Sequence, residues 1–194
     1  MNKIILEGIA GDIEFLHKAY GEKFYKFCMD VERESGTHDV IPCVVSEIYA
    51  DFVPGNKIKV VGELRTKNVN EGEKKHLIIF AHIQDVLPYG GYDENIVEMD
   101  GYIVRNPIYR ETPMGRQITD ILCASNRSYG KSSYIPCIAW GRNAKRASKL
   151  DVGTKISVTG RFQSREYEKE IDGETVVKTA YELSIATLDI TDDE

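Results

Sequence analysis

The chain has 194 residues, of which 42% are hydrophobic and 29% charged; this is the balance of a globular protein with a packed core, and the length admits one large domain or two small ones. No apolar run approaches the roughly 18 residues of a membrane helix, and Glu7 interrupts the N-terminal apolar stretch too early for a signal peptide, so a cytoplasmic protein without a membrane partner is expected. The formal net charge of −6 argues against a surface that is basic throughout and leaves only a local basic face open for nucleic acid.

Residues 2–8 (N-K-I-I-L-E-G) read as an apolar strand stopped by a glycine, and the layout returns at 95–101 (N-I-V-E-M-D-G). Ile41, Pro42 and Cys43, preceded by Gly36, recur as Ile135, Pro136 and Cys137, preceded by Gly130. Gly55, Lys57, Ile58, Val60 and Gly62 recur as Gly153, Lys155, Ile156, Val158 and Gly160, and Asp85 and Val86 as Asp189 and Ile190. Ordered matches with a slowly drifting offset mark a tandem duplication. The division is an N-terminal barrel at 1–87, a linker at 88–94 where Pro88, Gly90 and Gly91 break the pattern, a C-terminal barrel at 95–190 and a short acidic tail at 191–194. Tyr89 and Tyr92 are placed to pack the linker down.

Within each copy, short strands alternate with turn signals, among them Thr112, Pro113, Met114 and Gly115, and later Asp172 and Gly173. One short helical stretch follows each Ile-Pro-Cys strand. The fold class predicted is all-β: two tandem five-stranded oligonucleotide-binding (OB) barrels, each with a short helix. Cys28, Cys43, Cys123 and Cys137 show no metal or redox spacing, nor do His17, His38, His76 and His82. The thiols are read as buried small hydrophobes, and no cofactor or metal is expected.

Strand alternation sorts the second copy into two faces. Ile135, Cys137 and Ala139 point into the barrel, and Tyr134, Pro136, Ile138 and Trp140 point outward, with Pro136 hinting at an edge or bulge. From Lys155 on, Ile156 and Val158 point inward, whereas Lys155, Ser157, Thr159, Arg161, Gln163, Arg165 and Tyr167 point outward, with a register slip possible at Gly160. Arg105, Arg110, Arg116, Arg127, Lys131, Arg142, Lys145, Arg146 and Lys149 add positive charge. Residues 94–190 hold 14 basic and 13 acidic side chains, against 11 and 15 in residues 1–93. The acidity lies mainly outside the second copy.

The second copy resembles the bacterial single-stranded DNA-binding protein family. The resemblance rests on Asn95, Gly101, Tyr109, Thr112, Pro113, Gly115, Tyr134, Ile135, Pro136, Ala139, Trp140, Gly141, Gly153, Gly160, Arg161, Gln163 and Tyr167. It implies base stacking on Trp140, Tyr134, Tyr167 and Tyr129; from the basic residues sorted above, phosphate contacts are expected of Arg105, Arg110, Arg116, Arg142, Lys155, Arg161 and Arg165. In the first copy Ser35, Val40, Ser46 and Val69 take the aromatic positions, and Glu47 and Asp51 stand where Arg142, Lys145 and Arg146 would be. That copy is read as structural or oligomerising, or as a weak DNA contact through Lys57, Lys59, Arg65 and Lys67. The resemblance further implies a homodimer with four barrels in total. The end of the chain, Thr191, Asp192, Asp193 and Glu194, lacks the family's long tail and apolar terminus, so recruitment of replication proteins by that route is not expected.

The expected function is sequence-independent binding and protection of single-stranded DNA in replication, recombination or repair, in a bacterial, phage or mobile-element setting. The alternative is an OB-fold assembly module, such as a replication-restart accessory, with incidental DNA contact. For single residues, the competing roles are a core rim or dimer contact for Trp140, cross-strand packing for Tyr134, and an ordinary loop or hairpin tyrosine for Tyr129 and Tyr167. The acids Glu166, Glu168, Glu170, Asp172 and Glu174 have no nucleophile and positioned base beside them, so no enzyme is expected and no catalytic residue is assigned.

Overall fold

Both halves of the chain close their strands in the same order. The computed structural model describes the backbone of residues 1–71, 74–171 and 173–191, and their side chains except those of 71, 74, 75, 129, 167–169 and 171. The first half comprises β1 (Asn2–Ala10), β2 (Glu14–Ala19), β3 (Glu22–Glu32), β4 (His38–Ser46), β5 (Lys57–Glu71) and β6 (Lys74–Pro88). The second comprises β7 (Glu94–Ile103), β8 (Ile108–Glu111), β9 (Gln117–Asn126), β10 (Ser132–Trp140), helix α1 (Gly141–Ala147), β11 (Lys155–Ile171) and β12 (Glu174–Ile190).

In the first half β1 lies against β5 and reaches β3 at Ile9↔Asp30, and β2 continues along the same β3. Thus β1 and β2 are two arms of one bent strand, and the barrel has five strands. It closes through the parallel pairing of β4 with β6, as the second closes through β10 with β12. Two tandem OB barrels result. The second carries an α-helix after its Ile-Pro-Cys strand; the first has only a single 3₁₀ turn there, Glu47–Tyr49.

Alternation places Ile41, Cys43 and Val45 of β4 in the interior, matched by Ile135, Cys137 and Ala139 of β10. Cys43, Cys123 and Cys137 are buried, but Cys28 is exposed, because it falls on the outward parity of β3. Buried side chains of both barrels belong to one continuous cluster.

The barrels join edge to edge. β1 and β7 pair antiparallel from Asn2↔Met99 to Glu7↔Glu94, a register that maps onto itself when the two copies are exchanged. The repeated asparagines explain themselves here. Asn2 brackets Leu64, accepting from its N–H and donating to its carbonyl at 3.0 and 2.9 Å, and Asn95 does the same to Phe162 at 2.9 and 2.7 Å. The segment before β7 is fastened by Asp93, which accepts from Lys57, the Tyr89 hydroxyl and the Glu32 N–H; Tyr92 stays exposed. Among the described residues, no helix is long and apolar enough to cross a membrane.

Candidate nucleic-acid interface

Trp140 is the last residue of β10, and the positive φ of Gly141, 54°, turns the chain from that strand into α1. The indole is half-buried, and its Nε1–H donates to Ser184 Oγ on β12 at 3.1 Å. That bond fixes the ring at the edge of an open groove of about 810 Å³. Arg116, Arg161 and Arg165 line the same groove, together with Arg33 from the first barrel.

Each arginine arrives for a local reason. Arg116 closes the turn after β8, where Gly115 has a φ of 72° and the Thr112 N–H donates to the Arg116 carbonyl. Arg161 and Arg165 lie on the outward parity of β11, which also carries Gln163. The irregularity at Thr159/Gly160 is present, but the extra residue is Ala186 on the partner strand, so β11 keeps its alternation. Gly160 is required because a Cβ there would stand 2.1 Å from the Ser184 carbonyl oxygen.

The groove is under-neutralised. Gln163 is nearly buried and donates to Glu182 at 3.0 Å, and Arg165 approaches the same carboxylate at 3.5 Å. Among the described residues, Arg161 donates to the amide oxygen of Gln163, at 3.3 Å. Burial first, and then the neighbouring Arg33 guanidinium, push its pKa down against the pull of Asp39, so an incoming anion would favour its charged form.

Of the other expected contacts, Tyr134 is 47% exposed on the outward face of β10, outside the groove lining, and its N–H donates to Thr66 Oγ1 of the first barrel. Arg105 and Arg142 are exposed but lie off the groove, as does the partly buried Lys155. Arg110 is held in a two-bond pair with Asp120 at 2.7 and 3.1 Å. The side chains of Tyr129 and Tyr167 lie outside the described residues. Ile138 faces outward by parity yet is buried, at 2% exposure.

Arg33 was not among the residues read from the sequence. It reaches the groove because the β3–β4 hairpin docks on β11: buried Asp39 pairs with Arg33 at 2.5 and 2.6 Å and accepts from the Ser164 N–H at 3.2 Å. No one-dimensional pattern announces that contact.

The sequence profile described as the single-strand binding protein family matches residues 94–191, the span of β7 to β12. A single-stranded DNA-binding protein of Oceanobacillus iheyensis is 33% identical over 92 residues, covering 44% of this chain and 56% of that protein. Single-stranded DNA-binding protein A of Bacillus subtilis is 33% identical over 83 residues, 39% and 48% of the two chains. The chain spans about half the length of the curated relatives it matches. Among solved structures, the wild-type single-stranded DNA binding protein of Thermus aquaticus superimposes over 100% of this chain and 94% of its own, with a TM-score of 0.79 and 20% identity, a likeness of fold. With the family profile covering half of the chain, and the groove lying within the matched half apart from Arg33, the chain belongs to the single-strand binding protein family.

Proposed function

We propose that the chain binds single-stranded DNA without reading its sequence, through the groove of the second barrel. The carrying observation is the convergence of Trp140 with Arg116, Arg161 and Arg165 on one open surface. Arginines follow phosphates, whereas a tethered indole offers a face to any base. Tyr134 extends the stacking surface along β10, with Tyr129 and Tyr167 as further candidates, and Arg105, Arg110, Arg142 and Lys155 as outlying phosphate contacts. Binding and protection of single strands in replication, recombination or repair, rather than catalysis, is the role that follows. Two barrels per chain point to a homodimer of four, which sedimentation equilibrium tests.

The test of binding is titration with oligo-dT, read by the fluorescence of Trp140, the single tryptophan. Quenching is expected. Trp140→Ala is expected to weaken binding about tenfold or more, at roughly 1–3 kcal/mol per stacked base, and Trp140→Phe should retain most of the affinity. The slope of log affinity against log salt is expected at about −0.7 per phosphate neutralised. An unquenched Trp140 with a flat salt response would overturn the reading.

A further inference from the structure

The barrels grip each other through two hairpins related by the duplication, and the two grips differ in charge. On one side the β3–β4 hairpin brings Asp39 to the Ser164 N–H of β11. On the other the β9–β10 hairpin brings the Tyr134 N–H to Thr66 Oγ1 of β5, and Thr66 is the counterpart of Ser164. The paired registers make Val31, Arg33 and Asp39 of the first hairpin the counterparts of Ser125, Arg127 and Ser133 of the second. Asp39 thus faces a valine across its hairpin, whereas Ser133 faces a second serine.

In the first hairpin the Arg33 Nε–H donates to the Asp39 carboxylate at 2.6 Å. In the second the same atom of Arg127 has no acceptor among the described residues, and the hydroxyls of Ser133 and Ser125, 0% and 1% exposed, have no partner either. Three donors therefore lie where the first hairpin holds an anion, and buried donors left unpaired are costly. Arg65 and Glu63 on β5 are the charges that act on Arg127. They neutralise each other through a 2.6 Å bond, which leaves the Arg127 charge uncompensated. His82 adds none at pH 7, because burial and then Arg65 hold it down at about 4. Burial first, and then Arg65, lower Arg127 as well, against the pull of Glu63, as befits a guanidinium without an anion beside it.

We propose that this corner binds one small inorganic anion of the chloride class, held by Arg127 Nε and the hydroxyls of Ser133 and Ser125 in the place that the Asp39 carboxylate takes in the first hairpin. A halide accepts from several donors at once and brings no donor of its own to be satisfied, which suits a corner made of donors. Exchanging aspartate for serine removes volume and a negative charge together, and a monatomic anion returns both. Arg127 is only half-buried, so the ion has an approach from solvent. Once bound, it fastens the β9–β10 hairpin to the first barrel as Asp39 fastens the β3–β4 hairpin to the second. The joint between the barrels then responds to which anion is present, and not to ionic strength alone.

The test uses the full chain without DNA, in sodium chloride or in sodium gluconate at equal ionic strength and pH 7, gluconate being too bulky for the corner. The thermal midpoint of the unmodified chain is expected to lie about 4 °C higher in chloride, the shift for an ion at roughly ten times its dissociation constant. Ser133→Asp supplies the carboxylate from the chain itself. Its midpoint in gluconate is expected to equal or exceed that of the unmodified chain, and its chloride increment to vanish. Arg127→Gln is expected to lose the increment too, and because Arg127 is half-buried this variant carries the test if the buried aspartate does not fold. The line width of the chloride magnetic resonance follows the ion directly, with excess broadening expected from the unmodified chain and less from either variant. Equal midpoints in the two salts and no excess broadening for the unmodified chain would sink the proposal. So would an increment and a broadening that survive in the folded variants, since the ion would then sit elsewhere, as on the arginines of the Trp140 groove.

Discussion

Asp39 is the carboxylate on which one side of the inter-barrel contact depends. It is fully buried, it holds Arg33 through two bonds, and it accepts the Ser164 N–H from the other barrel. Removing one member of such a pair strands the other charge, at about 3 kcal/mol. Asp39→Ala is therefore expected to lower the thermal midpoint by roughly 10 °C, with Asp39→Asn recovering part of the loss because it still accepts from Ser164. An unchanged midpoint in Asp39→Ala would contradict this. At this scale the sequence was legible where the repeat aligned and opaque where the barrels meet. Trp140, Arg161 and Arg165 could be placed on an outer face because parity alone decides it. Arg33 could not, because its place at the groove depends on a tertiary contact between the barrels.

The long hairpins β5–β6 and β11–β12 each bend over the barrel at a glycine. At Gly62 and Gly160 the opposite backbone comes so close that a Cβ would stand 2.1 Å from a carbonyl oxygen, and the partner strand carries an extra residue at the same place, Gln84 or Ala186. The repeat of the glycine was visible in the sequence, as was the chance of a bulge. Which strand would bulge was not, since only the paired register shows it. Gly160→Ala is expected to force β11 and β12 apart at about 3 kcal/mol, and to weaken oligo-dT binding as well, because Ser184, which tethers Trp140, is the residue pushed. Gly141→Ala, at the strand-to-helix turn, meets open space and strains only its positive φ, so it should cost about 1 kcal/mol. Equal midpoints for the two variants would contradict the assignment of Gly160 to a close crossing.

For the molecule as a whole, the seam between the barrels gathers carboxylates that are charged and engaged. Burial alone would raise Glu7, but Lys59 at 2.6 Å and the Gly90 N–H, also at 2.6 Å, hold it below the usual 4.5. Asp93 is likewise held below 3.8 against the effect of burial, by Lys57, the Glu32 N–H and Tyr89. The N-terminal ammonium lowers Asp100 across the β1–β7 pairing. A carboxyl group whose pKa is depressed by folding contributes stability that is complete above its unfolded value and is lost as pH falls through the folded one. The seam is thus expected to keep its strength at neutral pH and to weaken below about pH 4.5. Lys59→Met leaves Glu7 with the Gly90 N–H as its remaining strong donor, a cost of about 2 kcal/mol at pH 7, or roughly 6 °C. The loss should shrink as the pH drops below 4.5, since protonating Glu7 removes the Lys59 attraction from the unmodified chain too. Thermal midpoints of both proteins between pH 3 and 7 check this; a gap that stays constant across that range would show that the Lys59–Glu7 pair contributes packing rather than charge to the joint.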